Sequence, residues 1–335
     1  MTTSNLTDTP PTFDDIQAAA IRIDGIAFKT PLLESKLLNE KLGGRVLFKA
    51  ECLQKTGSFK FRGATNNIAC LSEAQKSKGV VAFSSGNHAQ GVALAATSSG
   101  VKSTIIMPED APTMKIKNTK AFGADVILYN RYSEDREEIG RKFSEKTGAI
   151  LIKPYDAPLT IAGQGTIGLE IAAQCGEQDI TPDYLLAPCG GGGLMAGLCL
   201  SISKKLPATK LYSVEPDGFD DTKQSLETGN YETIDKAAKT FCDAIMTPTP
   251  GKLTFPINQK YLSGGLSVSD LEVSAGMMAA FEYLKLVVEP GGCVGLAALL
   301  ADRLPIKGKT AIVVLSGGNV DADLYKSILE NQLAL

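Results

Sequence analysis

Short apolar runs alternate with longer stretches of helical spacing along most of this chain. The runs cover residues 45–50, 79–84, 103–107, 125–129, 150–152, 184–187, 210–214 and 310–315, and several (VVAF, IIM, AIVVL) are apolar at every position. A strand with one face in water alternates apolar and polar residues, whereas a strand apolar throughout is covered on both faces. Between the runs, residues 89–98, 114–122, 133–146 and 193–204 carry helix-period patterns. This alternation predicts an α/β fold: mostly parallel sheets with helices packed on both sides. No repeat of about 20–50 residues is present, which excludes a solenoid.

A chain of 335 residues is long for a single core and points to two domains or one large α/β unit. The stretch PYDAP at 154–158 reads as a linker. It predicts an inserted small domain at 68–154 and a larger domain made of 1–67 and 155–335. Lys and Arg number 34 against 37 Asp and Glu, and the charges are interspersed, which argues against a nucleic-acid partner. No apolar run reaches the ~18 residues of a membrane span, so no membrane partner is expected. The opening MTTSNLTDTPPTF lacks a signal peptide's basic start and apolar core; it reads as a short frayed tail before a helix starting near Thr12 or Asp14.

The single histidine, His88, excludes any two-His metal site within one chain. No acidic residue is placed to complete a triad with it, and its default role is structural. Seven cysteines, odd in number and without a Cys-x-x-Cys pair, predict mostly buried, reduced thiols in a cytoplasmic protein.

Many of the 33 glycines cluster just after predicted strands. Ligands of doubly wound sheets bind at strand carboxyl ends, where loops lead into helix N-termini. Gly190, Gly191, Gly192 and Gly193 follow the strand YLLAPC. Four glycines in a row are entropically costly for a mere turn, and their free N–H groups suit a phosphate. No Gly-Lys-Ser/Thr follows, so the loop is not a nucleotide P-loop. Ser84, Ser85, Gly86, Asn87 and His88 form a loop of hydroxyl and N–H donors suited to a carboxylate, although Ser84 alone would be an ordinary helix cap. Ser316-Gly317-Gly318-Asn319 is equally a ligand loop or a plain turn. In KTGSFKFRGA, Lys60 lies between Phe59 and Phe61; an apolar setting lowers an amine pKa, as a Schiff-base lysine needs, although most helix-start lysines are only solvated. Gly163-Gln164-Gly165-Thr166-Ile167-Gly168 matches a dinucleotide pattern but does not directly follow a strand, so close helix packing is the better reading.

Taken in order, SFKFRGA, SSGNHAQG, PYDAPLTIAGQGTIGLEI, GGGGL, VEP…DD, VVEPGG and SGGN resemble the fold-type II pyridoxal-phosphate (PLP) enzymes. The resemblance spans about 28 to 329 and is to the serine/threonine dehydratase, serine racemase and 3-hydroxyaspartate dehydratase family. It implies a tryptophan synthase beta-like fold of two three-layer domains, with the cofactor between them, and a homodimer. By this resemblance Lys60 matches the lysine that condenses with the cofactor aldehyde, and Gly190 to Gly193 match the phosphate cradle. Phe59 matches the residue against the ring, Asn87 the partner of the ring hydroxyl, and Ser316 the partner of the pyridine nitrogen. A neutral hydroxyl does not hold that nitrogen charged as an Asp would, which favours β-elimination over transamination.

The resemblance also implies catalysis by Lys60 as base, and substrate carboxylate binding by Ser84 to His88. Ser85 matches the racemases' second proton-exchanging residue, and Arg136 matches a pocket-lining arginine, although DREEIGRK reads equally as a charged surface helix. Glu215, the Phe219 carbonyl and Asp221 match the ligands of a divalent cation: magnesium, calcium or manganese. Ala244 stands where the family commonly has Gly, which narrows the space beside the cofactor. The implied activity is an ammonia-lyase (dehydratase) of 3-hydroxyaspartate, or of serine or threonine, giving a 2-oxo acid. The alternative is a serine/aspartate-type racemase with side dehydratase activity.

Overall fold

The computed structural model describes residues 9–235 and 237–330, and its strands form two sheets. In chain order they are β1 (Leu32–Glu34), β2 (Arg45–Ala50), β3 (Val80–Phe83), β4 (Ser103–Pro108), β5 (Asp125–Tyr129), β6 (Ile150–Leu151), β7 (Tyr184–Pro188), β8 (Lys210–Pro216), β9 (Leu262–Val268) and β10 (Thr310–Leu315). The larger sheet has the order β1-β2-β10-β7-β8-β9, and the smaller β5-β4-β3-β6. Only β1, which pairs with β2, is antiparallel. The architecture is the α/β one of mostly parallel sheets that the alternating pattern predicts.

Strand β10 explains why its run is apolar throughout. Ile312 and Val314 face one side and pack with Leu185, Ile161 and Leu198. Ala311, Val313 and Leu315 face the other, against Val294, Leu296 and Ala297. Each aliphatic side chain removed from water contributes about 1.5–3 kcal/mol, so both faces must be covered for the strand to hold. The smaller sheet repeats the scheme, with Ala82 and Ile105 on one face and Val81 and Ile106 on the other.

The dinucleotide-like glycines lie inside the helix Pro158–Glu177. A methyl group at Gly163 would stand 2.6 Å from the Cα of Gly63, so this helix and Lys60–Ala69 meet backbone to backbone. A buried charge network holds the same contact. The Arg62 guanidinium donates to both oxygens of Glu51 (2.8 Å each) and to both of Glu170 (2.6 and 2.9 Å). Lys49 Nζ donates to Glu170 (2.6 Å) and Gln174 (3.0 Å).

Some expectations are adjusted. The helix expected at 133–146 runs Arg136–Thr147, because the Asp135 side chain accepts from the N–H groups of Glu137 and Glu138 and caps it there. The first helix, Phe13–Ile23, starts behind a Thr12–Asp15 capping box, and the expected tail at 1–8 lies outside the described residues. Strand β9, LSGGLSV, had no strand signal because its glycines and serines mask the period. Six cysteines are buried and Cys70 is half-buried, with no disulfide among them. No helix among the described residues is long and apolar enough to cross a membrane.

Candidate active site

The carboxyl ends of β2, β3, β7 and β10 open on one cleft. Lys60, in the first turn of the helix Lys60–Ala69, reaches it from the loop that follows β2. That loop is zipped to the one after β10: Phe59 N–H donates to the Ser316 carbonyl (3.1 Å), and Gly318 N–H to the Gly57 carbonyl (2.9 Å). Thr56 takes a left-handed backbone (φ 62°), and its carbonyl accepts from Asn319 Nδ2 at 2.8 Å. Lys60 Nζ donates to the Pro154 carbonyl (2.8 Å) and stands 5.2 Å from the centre of the Phe59 ring. Burial pushes its amine down to about 8, against the opposing pull of Glu289. Ser316 thus converges on Phe59 and Lys60 because two loops pair, not because it is near them in sequence.

Across from Lys60, Gly190 to Gly193 join β7 to the helix Gly193–Lys205. Gly192 has φ +85°, a conformation only glycine takes without strain. A methyl group on Gly191 would overlap the ring of Tyr155, so the loop lies flat under that side chain. The bare N–H groups and the helix N-terminus form a cradle whose chemistry fits a phosphate.

The loop after β3 supplies the third wall: Ser84, Ser85, Gly86, Asn87 and His88 all line the cleft. Asn87 Oδ1 accepts from Asn319 Nδ2 (2.8 Å), and Asn87 Nδ2 donates to Glu289 Oε1 (2.5 Å). The second Nδ2 hydrogen remains for a ligand. Glu289, overlooked in the sequence, is buried, and its Oε2 has no partner among the described residues. Burial raises this carboxyl to about 7, against the opposing pull of Lys115.

The His88 side chain takes the structural role that is its default. Its Nε2 donates to the Ile152 carbonyl (2.9 Å). Burial, helped by the charge of Lys60, lowers the ring to about 3 and keeps it neutral. As a cation for a substrate carboxylate it does not serve.

Two other cations do face the cleft. Arg136, in the first turn of Arg136–Thr147, lies 5.6 Å from the Phe83 ring centre and has no ion-pair partner among the described residues. Lys115, not singled out from the sequence, is buried and pairs with Asp243 across the cleft. Burial opposes its charge, but Asp243 and Glu289 outweigh that and raise the amine above its ordinary value. Ala244 lines the cleft beside Gly291, where the missing side chain returns some of the space that Ala244 takes.

Glu215, Phe219 and Asp221 lie apart, at the end of β8. Glu215 accepts from the backbone N–H groups of Thr222 (3.1 Å) and Lys223 (2.9 Å). Both Asp221 carboxylate oxygens are buried without a partner among the described residues. Desolvation pushes both carboxyl groups above the usual range. Two buried carboxylates, one with orphaned oxygens, have the donor chemistry of a hard-cation site. The described residues hold no cluster of three or more His, Cys, Asp or Glu able to bind a metal.

An amine whose charge burial disfavours, facing a phosphate cradle between two parallel sheets, defines an enzyme that carries a phosphorylated aldehyde coenzyme. A family model described as "Pyridoxal-phosphate dependent enzyme" matches residues 23–317, and the chain belongs to that family. It is 43% identical to the L-threo-3-hydroxyaspartate ammonia-lyase of Saccharomyces cerevisiae, over 96% of this chain and 97% of that protein. It is 42% identical to the serine racemase of Schizosaccharomyces pombe, over 95% of this chain and 97% of that protein. The structure of maize serine racemase superposes with a TM-score of 0.89 at 36% identity, over 96% of this chain and 98% of that one. The chain is accordingly a PLP-dependent enzyme whose relatives include ammonia-lyases and serine racemases.

Proposed function

We propose that this chain eliminates water from a 3-hydroxy amino acid, with 3-hydroxyaspartate preferred over serine and threonine, and that the resulting imine takes up water to give a 2-oxo acid and ammonia. The observation that carries the substrate choice is Arg136, a guanidinium lining the cleft without a carboxylate partner among the described residues. A substrate with a second carboxylate would supply one. The 43% identity to an L-threo-3-hydroxyaspartate ammonia-lyase supports the same choice.

When bound, the coenzyme supplies an electron sink that acidifies the substrate Cα–H. Lys60 Nζ takes that proton, and its lowered pKa leaves a share of the amine neutral near pH 8. Ser84 to His88 receive the α-carboxylate through hydroxyl and N–H donors. The N–H groups of Gly190 to Gly193 would hold the phosphate, Asn87 Nδ2 would donate to the ring hydroxyl, and Phe59 and Ser316, which line the same cleft, would contact the ring.

The test is ammonia release from the stereoisomers of 3-hydroxyaspartate, serine and threonine. L-threo-3-hydroxyaspartate should give the highest kcat/KM. Arg136→Gln should lower that value by roughly 100-fold while leaving L-serine within about threefold. Equal losses on both substrates would remove Arg136 and the dicarboxylate from the reading. Lys60→Ala should abolish both turnover and the coenzyme's visible absorption.

A second reading, racemisation, rests on Ser85, which lines the same cleft and can serve as an opposed base. Chiral chromatography of residual serine discriminates: D-serine that disappears in Ser85→Ala, with ammonia release retained, would favour it.

The same reading includes a magnesium, calcium or manganese ion on Glu215, the Phe219 carbonyl and Asp221, supported by the orphaned Asp221 oxygens. It includes a division into a small domain at 68–154 and a large one made of 1–67 and 155–335, supported by the separate four-stranded sheet formed by strands of the smaller part. It also includes a cytoplasmic homodimer, supported by exposed apolar side chains such as Phe281 and Val287; sedimentation of the purified protein measures the assembly.

A further inference from the structure

The polyglycine loop has no side chains with which to hold its own shape, yet a phosphate cradle works only if its peptide planes are fixed. The structure shows what fixes them. Thr254 Oγ1 donates to the Gly191 carbonyl (2.7 Å), and Asn258 Nδ2 donates to the Gly192 carbonyl (3.3 Å). Both side chains come from one helix, Thr254–Tyr261, and both are buried. A methyl group on Gly192 would stand 2.7 Å from Asn258 Nδ2 and 2.8 Å from Thr254 Oγ1, so the helix is pressed against the loop.

That helix is itself held from the segment between the two sheets. Asp156 Oδ1 accepts from the N–H groups of Leu253 (2.8 Å) and Thr254 (3.3 Å), and its Oδ2 accepts from Lys252 N–H (3.1 Å). The neighbouring Tyr155 covers Gly191 from the other side. Two residues earlier in the same run, the Pro154 carbonyl accepts from Lys60.

We propose that Thr254 and Asn258, seated by Asp156, are positioning residues for the coenzyme phosphate. By drawing the carbonyls of Gly191 and Gly192 toward themselves, they leave the opposite edges of those peptides, which carry the N–H groups, turned to the cleft. A peptide plane cannot present both groups to one ligand, because its C=O and N–H point in opposite directions. If the carbonyls were free to rotate, a carbonyl oxygen would face the phosphate and repel it. The inference rests on the coenzyme reading above but concerns only one end of that molecule.

The distinguishing measurement is binding of PLP and of pyridoxal, which lacks the phosphate, to coenzyme-free wild type and Thr254→Val. The variant should bind PLP roughly tenfold more weakly, from the loss of a buried bond and the stranding of a carbonyl. Its affinity for pyridoxal should stay within about twofold. Thr254→Ser keeps the hydroxyl and should bind PLP as wild type does. Asn258→Ala should repeat the selective loss. If Thr254→Val does not fold, Asn258→Ala and Thr254→Ser carry the comparison alone. Unchanged PLP affinity, or equal losses for PLP and pyridoxal, would overturn the proposal. Failure of the wild type to bind PLP at all would instead overturn the coenzyme reading.

Discussion

Lys60 Nζ lies 2.8 Å from the carbonyl oxygen of Pro154, so the central amine of the cleft is tethered to the segment that joins the two sheets. A carbonyl accepts from either the charged or the neutral amine. It therefore orients Lys60 without choosing its protonation state, which burial and Glu289 decide.

Coenzyme capture should follow that titration. The reacting form is the neutral amine, and the folded pKa of about 8 lies below the ordinary 10.5. The rate of PLP uptake by coenzyme-free protein should rise with pH and level off above about 8. Glu289 opposes the shift, so Glu289→Gln should move the midpoint to lower pH. Stopped-flow absorbance across the pH range measures both, and a midpoint near 10 in the wild type would contradict the described burial.

His88 should make the protein acid-sensitive. Its folded pKa of about 3 lies below the ordinary 6.5, so the unfolded chain binds the extra proton. The stability is complete above 6.5 and is lost as pH falls below it, by about 1.4 kcal/mol per pH unit. Between pH 6.5 and 5, urea unfolding should show a steeper decline in wild type than in His88→Gln. Parallel curves would show that the ring is charged when folded.

The Lys115–Asp243 pair should respond asymmetrically. The Lys115 side chain is 4% exposed and that of Asp243 39%. Asp243→Asn strands a buried cation and should cost about 2 kcal/mol, a figure reduced for the exposure of Asp243. Lys115→Met leaves only a carboxylate that can turn to water and should cost less than about 1 kcal/mol. The two variants' unfolding midpoints in urea make the comparison.

Chelation should expose the carboxylate pair at the end of β8. EDTA should lower the thermal midpoint, and magnesium, calcium or manganese should restore it. In Asp221→Asn the midpoint should no longer respond to either. A wild-type midpoint indifferent to chelator and metal alike would count against the cation.

Arg62→Lys should show how firmly the helix Lys60–Ala69 is seated. Lysine does not bridge Glu51 and Glu170 with paired donors, and a loss of about 3 kcal/mol is expected. Arg141→Lys, in the exposed pairs with Glu138 and Glu145, should leave the unfolding midpoint essentially unchanged. Guanidinium unfolding of both variants checks the contrast.

Much of the site was legible because its loops have unusual local composition. Four successive glycines, a serine pair before Gly-Asn-His and a lysine between phenylalanines each stand out within a few residues. Glu289, Lys115, Tyr155 and Thr254 did not stand out, because a lone carboxylate, amine, phenol or hydroxyl has no local pattern. Asn87 and Glu289 are 202 positions apart, and their bond exists only because the loops after β3 and before the helix Pro290–Leu300 meet. The partner of His88 was hidden for the same reason: the Ile152 carbonyl that occupies its Nε2 lies 64 positions away.

By itself, then, the order of amino acids determined the strands buried on both faces, the helices between them and the glycine turns at the strand ends. Periodic burial and backbone freedom are properties of neighbouring residues. Tertiary structure alone decided which polar groups became partners, which amine had its charge disfavoured by burial and which carbonyls the helix Thr254–Tyr261 holds. Those outcomes depend on distance and dehydration between segments that are remote along the chain.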